Sequence, residues 1–481
     1  MRLINPLVVF RILSTILQLE AISFLLCLPV AVIYREPVSP FLWSSIITGI
    51  FWLVFHFIGR EAEGEKIGRR DTFLIVTLAW VLFPLFGALP YIISNAITGF
   101  VNAYFESVSG FTTTGASILG DVESLPYSIM FWRSLTHWIG GLGIFVLVLL
   151  VLPSLSITGY HLFSLESSLK EKIHPRAKGV GYRILLIYIT LTVLEVIFLV
   201  CGDMNLFDSV CHAFGTVATG GFSTKNNSLM HYSAYSQYVV MIFMIMAGTS
   251  QVVFYHLYKR NLRKVIRNEE LRLYLIVILV AGALAAGILL YKTPKPFEVA
   301  SREGFFQIVS VITCTGFASA DYIFWPSAAL FLVFLLMFAG GSTGSTSGGI
   351  KMARHLLVLK NIKKIILRSG HPNAIFTVRL NGRIVEEHTS LSIFSFIYLY
   401  LFLFILGSLL LILFGSDPVT SATSVATCMA GIGPGLGTVG PMSNYAALPE
   451  ISKIILGLAM ILGRLEILTV FALFSKSFWK V

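Results

Sequence analysis

Four short stretches hold the residue types whose spacing could do chemistry: YFESVSGFTTTGAS (104–117), VCHAFGTVATGGFS (210–223), FFQIVSVITCTGFA (305–318) and ATSVATCMAGIGPG (422–435). They align without gaps on Gly115, Gly221, Gly316 and Gly433, and six residues before each lies a small residue: Ser109, Gly215, Ser310 or Thr427. What such loops offer is backbone. Glycine adopts dihedrals that other residues hold only at a cost, so a carbonyl can be turned inward. A set of converging carbonyls can replace the hydration shell of a bare cation of alkali-metal size. Small residues also simply let helices approach closely. Four copies in register, each after a short polar-capped segment, favour coordination.

Each stretch follows one long apolar run and precedes another. The 481 residues are 56% hydrophobic and 12% charged, with mean hydropathy +0.83. Apolar runs near twenty residues recur from end to end, which excludes a soluble core with a polar shell and predicts a polytopic membrane protein. The expected fold is all-α, with four parallel repeats of span, half-helix, loop and span around a central pore. Two extra transmembrane helices precede them, at roughly 8–34 and 41–59, making ten spans. The predicted units are residues 1–60, then repeats at 71–152, 183–260, 271–360 and 390–475, the third with a broken second helix. Asp417 before Pro418, and Asn205 with Asp208, predict capped starts for two half-helices. These segments are too short to span a bilayer, so they read as re-entrant. Their loops can sit at membrane depth only if buried in protein or lining water.

The net charge of +11 is distributed as a topology signal. Arg60, Lys66, Arg69 and Arg70 fall in one loop, Lys170, Lys172, Arg176, Lys178 and Arg183 in a second, and Lys259, Arg260, Arg263, Lys264 and Arg267 in a third. Lys360, Lys363, Lys364, Arg368, Arg379 and Arg383 form the fourth, which includes a polar hairpin at 368–388. These loops come after every second span, so the positive-inside rule places them, and both termini, in the cytoplasm. The N-terminus lacks a cleavage pattern and reads as a retained first span. Cys27, Cys201, Cys211, Cys314 and Cys428 stand singly, without metal-ligand spacing, and read as packing residues.

Taken together, SGFTTTGAS, ATGGFST, TCTGFAS and GIGPGLG, with RSLTHWIGGLG, AGGSTGSTSGGIK and GRLEI, make the chain resemble the Trk/Ktr/HKT superfamily of potassium transporters, most closely its bacterial TrkH branch. The resemblance covers essentially the whole chain. It implies potassium uptake across the bacterial inner membrane, with potassium as the transported ion and no organic cofactor. It also implies a homodimer in membrane lipid, controlled by a cytosolic nucleotide-binding ring of the TrkA type, with no role for nucleic acid. By the same resemblance Gly115, Gly221, Gly316 and Gly433 are filter glycines, with ligands at the neighbouring carbonyls of Thr113, Thr114, Thr219, Gly220, Cys314, Thr315, Gly431 and Ile432. In the wider family a serine at the first glycine accompanies sodium preference, so Gly115 favours potassium; a sodium-permeable or sodium-coupled transporter is the alternative. Pro434 stands where the second and third loops have Phe222 and Phe317, making the fourth loop the most divergent.

A further stretch, FAGGSTGSTSGGIK (338–351), lies within an apolar span. So many glycines and hydroxyls disfavour helix, so a break is predicted over 339–349, crossing the pore as a gate formed by Gly340, Gly341, Ser342, Thr343, Gly344 and Ser345. Arg464 lies 31 residues beyond Gly433, and Ser347 lies 31 beyond Gly316, so superposable repeats put both at one level below the filter. An arginine in an apolar span is costly without water or partners, which makes Arg464 part of the gate; snorkelling or pairing with Glu466 is the plainer alternative. Glu106 reads either as dipole compensation early in its half-helix or as a cation attractor at the outer mouth. His137 and Trp138 read as packing residues, and Lys351 as snorkelling.

Other classes fit less well. GSTSGGIK is not a phosphate loop, because Ile350 separates Gly349 from Lys351. Glu20, Glu195 and Glu466 lie in separate spans with no second catalytic group, against an enzyme. Secondary transporters show two related halves rather than four parallel copies.

Overall fold

The computed structural model describes residues 4–62, 68–150, 177–465 and 467–479. The basic residues Lys66, Lys170, Lys172 and Arg176 and the Arg464 partner considered above, Glu466, lie outside the described residues.

An N-terminal hairpin comes first. Pro6–Leu25 starts at Asn5, whose side chain accepts from the Leu7 amide, and is followed by Leu28–Ile33 and Ser39–Gly59. Ser45 donates to the Ala21 carbonyl (2.9 Å), and a side chain at Gly59 would strike the Arg11 backbone. Glycine and serine thus let these helices pack closely.

Four repeats follow. The first is Arg69–Gly87 with Leu89–Ile93, the half-helix Phe100–Phe111, and Tyr127–Leu150. The second is Ala177–Val200, the half-helix Leu206–Val217, then Ala234–Ala247 and Gln251–Tyr258, a pair bent by 95°. The third is Glu269–Lys292, the half-helix Phe297–Ile312 and Ser327–Leu336, with helix resuming at Met352–Gly370. The fourth is Glu387–Leu413, the half-helix Pro418–Ala430, Glu450–Arg464 and Ile467–Phe474. Among the described residues six helices are long and apolar enough to cross a membrane, or seven if the bent pair is one span. The chain is a multi-pass, mostly helical membrane protein of repeated design.

The half-helices have 12, 12, 16 and 13 residues. At 1.5 Å per residue they reach about 18–24 Å, short of about 30 Å of hydrocarbon. Asn205 caps the second by accepting from the Asp208 amide (2.8 Å), and Asp417 caps the fourth by accepting from the Thr420 amide (2.9 Å). Two cores flank the central axis. One joins repeats 2 and 3 through Tyr188, Val240, Tyr274, Phe306 and Phe317; the other joins repeats 1 and 4 and the N-terminal hairpin through Phe24, Phe41, Phe105, Trp132 and Met460. The polar segment after repeat 3 makes a small antiparallel hairpin, Arg379–Leu380 with Arg383–Ile384. Asn381 and Gly382, both at positive φ, supply its turn.

Candidate ion pathway

The loop after each half-helix has the same backbone. Two residues before each shared glycine, Thr113, Thr219, Cys314 and Gly431 have φ of 52°, 55°, 57° and 73°; Gly115, Gly221, Gly316 and Gly433 have φ of 79°, 80°, 84° and 89°. The residue between them stays at negative φ. Dihedrals that alternate in hand turn successive carbonyls to the same side, and the left-handed position explains the invariant glycine of the repeat. The small residue six before the glycine has its own task. Its carbonyl accepts from the amide just before the glycine: Thr114 to Ser109 (2.9 Å), Gly220 to Gly215 (2.7 Å), Thr315 to Ser310 (2.9 Å) and Ile432 to Thr427 (2.9 Å). The amides are thereby spent inside each repeat. No donor among the described residues bonds the carbonyls of Thr113, Thr114, Thr219, Cys314, Thr315, Gly431 or Ile432.

The four loops close a ring. A Cβ built on Gly115 would land on the Gly220 carbonyl oxygen, one on Gly221 on that of Thr315, one on Gly316 on that of Ile432, and one on Gly433 on that of Thr114. Each repeat's last carbonyl before the glycine therefore abuts the glycine of the preceding repeat, all the way round. The fourth loop, despite Pro434, keeps the pattern by using Gly431 at the left-handed position. It differs in that the Gly433 carbonyl accepts from the Tyr445 hydroxyl (2.6 Å), while the Tyr445 amide donates to Ser117 O of repeat 1 (2.8 Å).

Behind the ring lies a buried ion pair that the sequence did not reveal. Glu106 is wholly buried and sits mid-helix, not in the first turn. It accepts from Arg133 Nε (2.6 Å), Ser117 Oγ (3.0 Å) and the Ile118 amide (2.9 Å). Glu106 is thus a clamp on the first loop, not an attractor at the mouth. Arg133 Nη1 donates to Ser223 O (3.0 Å), and its guanidinium lies 3.6 Å from the centre of the Phe222 ring. His137 stacks on Phe222 at 4.0 Å, with Nδ1 2.7 Å from Gly110 O. These residues join repeats 1 and 2. A charge pair split between a half-helix and the next apolar span was the available signal.

The stretch from Met337 to Lys351 is non-helical and contacts repeats 2 and 4 as well as its own. Within itself, Gly340 N donates to Ile350 O (2.9 Å) and Gly341 N to Ser347 Oγ (2.9 Å). Toward repeat 2, Ser342 N donates to Gly248 O (2.9 Å), Gln251 N donates to Gly344 O (3.2 Å), and Thr346 Oγ1 donates to Val217 O (3.1 Å) at the end of the half-helix. Toward repeat 4, a side chain at Gly348 would strike Ala430 O, where that half-helix ends. The stretch therefore lies directly under the ring. Gly340, Gly341, Ser342, Thr343, Gly344 and Ser345 all belong to it, and Arg464 joins them: Nη1 donates to Thr346 O (2.8 Å) and Nη2 to Gly140 O of repeat 1 (3.2 Å). Arg464 is buried, not snorkelling. Lys351 turns back onto Ser347 O. The break at 248–250 in repeat 2 was not predicted; AGTS (247–250) carried only a weak signal.

A ring of backbone carbonyls set among apolar helices of membrane-spanning length has the chemistry of a site for a bare cation. Comparison with known proteins agrees. The TrkH family profile, described as a cation transport protein, matches residues 43–480, and the chain belongs to the TrkH family. It is 34% identical to the Trk system potassium uptake protein TrkH of Salmonella typhimurium, covering 98% of this chain and 99% of the relative. It is 33% identical to the Trk system potassium uptake protein TrkG of Escherichia coli, covering 98% of each. The crystal structure of the potassium transporter TrkH from Vibrio parahaemolyticus matches with TM-score 0.90 and 28% identity, over 99% of this chain and all of that one.

Proposed function

We propose that the chain takes up potassium across the bacterial cytoplasmic membrane, both termini inside, through the ring formed by residues 113–115, 219–221, 314–316 and 431–433. The observation that carries this reading is the closed succession of carbonyls, each seated against the glycine of the neighbouring repeat. A dehydrating potassium ion would exchange its water for the carbonyls of Thr113, Thr114, Thr219, Gly220, Cys314, Thr315, Gly431 and Ile432, and the carboxyl ends of four half-helices add a negative potential there. The names of the relatives as potassium uptake proteins of a Trk system support the ion and a multicomponent assembly. We take that assembly to be a homodimer in lipid, worked by a cytosolic nucleotide-binding ring of the TrkA type.

The non-helical stretch beneath the ring is the gate. Residues 340–345 block the pathway at rest and move aside when the regulator displaces Met352–Gly370, while Arg464 adds a cationic barrier. The test is rubidium uptake and growth at low potassium in a bacterial strain lacking its own potassium uptake. The wild type should rescue growth. Gly115→Ser should weaken rescue or admit sodium, because a Cβ at positive φ presses on the Gly220 carbonyl. No rescue by wild type with its regulator supplied, or sodium preference in the wild type, would overturn the potassium reading.

A further inference from the structure

Glu270 lies in the first turn of Glu269–Lys292 and is 1% exposed. Its Oε1 accepts two backbone hydrogen bonds, from Thr343 N at 2.6 Å and from Ala353 N at 2.9 Å. Thr343 is in the middle of the non-helical stretch, and Ala353 is in the first turn of Met352–Gly370. One carboxylate oxygen therefore joins the stretch to the helix that follows it. Amides in a first helical turn have no partner inside the helix, the helix dipole favours an anion there, and hydrogen bonds to an ionised acceptor are about twice as strong as neutral ones.

The neighbouring residue ties the same helix farther along. Glu269 Oε2 is 2.5 Å from Lys360 Nζ and accepts from Asn381 N (3.0 Å), while Asn381 Oδ1 accepts from Glu269 N (2.9 Å). Lys360 also donates to Arg379 O (2.7 Å). Lys360 is seven residues, or about 10 Å, beyond Ala353 on the same helical face. Consecutive glutamates thus hold one helix at two points. One faces the pore-crossing stretch and the other faces the cytoplasmic hairpin.

We propose that Glu270 is the latch of the non-helical stretch, a positioning residue that holds the stretch and the start of Met352–Gly370 together. It lets go when the helix and the 379–384 hairpin are displaced from Glu269. This rests on the gate reading. The direction of force follows from the contacts: movement of the hairpin or of Lys360 acts first on Glu269, and through the rigid helix on the Ala353 end of the latch.

The test is rubidium influx into vesicles containing the full chain without any regulator, for wild type, Glu270→Ala and Glu270→Gln. Glutamine keeps an acceptor in place but not its charge. Basal influx should rise severalfold in Glu270→Ala and to an intermediate level in Glu270→Gln, with the preference for rubidium over sodium unchanged. A residue needed only for folding would not give that graded gain. If the alanine variant does not assemble, the glutamine variant decides. Influx at or below wild type in assembled protein, or a changed ion preference, overturns the latch. A parallel variant with 340–345 replaced by a shorter linker separates the two ideas. A rise there without a rise in the Glu270 variants removes the latch alone, and no rise in any variant removes the gate reading as well.

Discussion

The ring and the stretch beneath it are both glycine-rich backbone among membrane-length helices, but they differ in how far their ties reach. In the ring, the key amides donate within their own repeat, five residues back along the chain, and a buried Glu106–Arg133 pair braces the first loop. The stretch is bonded within itself and to Glu270 of its own repeat, and in addition to groups of other repeats: Gly248, Val217 and Arg464. Local ties keep a loop in place whatever its neighbours do. Distant ties make a segment responsive to the relative placement of those neighbours, which is what a movable element needs.

Three substitutions break or sharpen that contrast. Arg133→Met leaves Glu106 charged and buried without its partner, which costs about 3–5 kcal/mol. We expect poor assembly and a lowered melting temperature, much of it regained in the Glu106→Gln, Arg133→Met double variant. If the single variant melts like wild type, the ring does not depend on the clamp. Arg464→Ala removes donors to Thr346 O and Gly140 O from the stretch without touching the ring. Regulator-free rubidium influx should rise severalfold at constant ion preference; a shift in preference would mean that stretch and ring are not separable.

The smallest effect is at Asp417, which caps the N-terminal end of the fourth half-helix. Hydrogen bonds from the Thr420 hydroxyl and amide hold its carboxyl below the usual carboxylate range. Losing the cap should cost about 1 kcal/mol. Because the folded pKa is depressed, the stabilisation is present above about pH 4, the unfolded value, and is lost as pH falls through the folded one. Melting of wild type and Asp417→Ala should therefore differ at neutral pH and converge in acid. A gap that persists in acid would assign the effect to something other than the charge.

What was legible in the sequence was local. Positive φ at Gly115 and its equivalents, and the close amide approach at Ser109 and its equivalents, are requirements of short backbone segments, and they leave a repeat. The stretch 339–349 announced itself in the same way, by composition unfit for helix, and helix stops at Leu336 and resumes at Met352. Contacts between repeats were harder to read. The Glu106–Arg133 pair, the Tyr445 hydroxyl on Gly433 and the seating of Thr346 on Val217 depend on how helices far apart in sequence are arranged. Arg464 was the exception, because counting from the shared glycine used the repeat itself as a ruler. The repeat-2 break at 248–250 escaped because one glycine and two hydroxyls are common in membrane helices.

The most direct test is rubidium in crystals of the protein, located by its anomalous scattering. Rubidium should lie on the axis within the ring, among the carbonyls of Thr114, Gly220, Thr315 and Ile432. Well-occupied rubidium elsewhere in the membrane region, with none in the ring, would contradict the account.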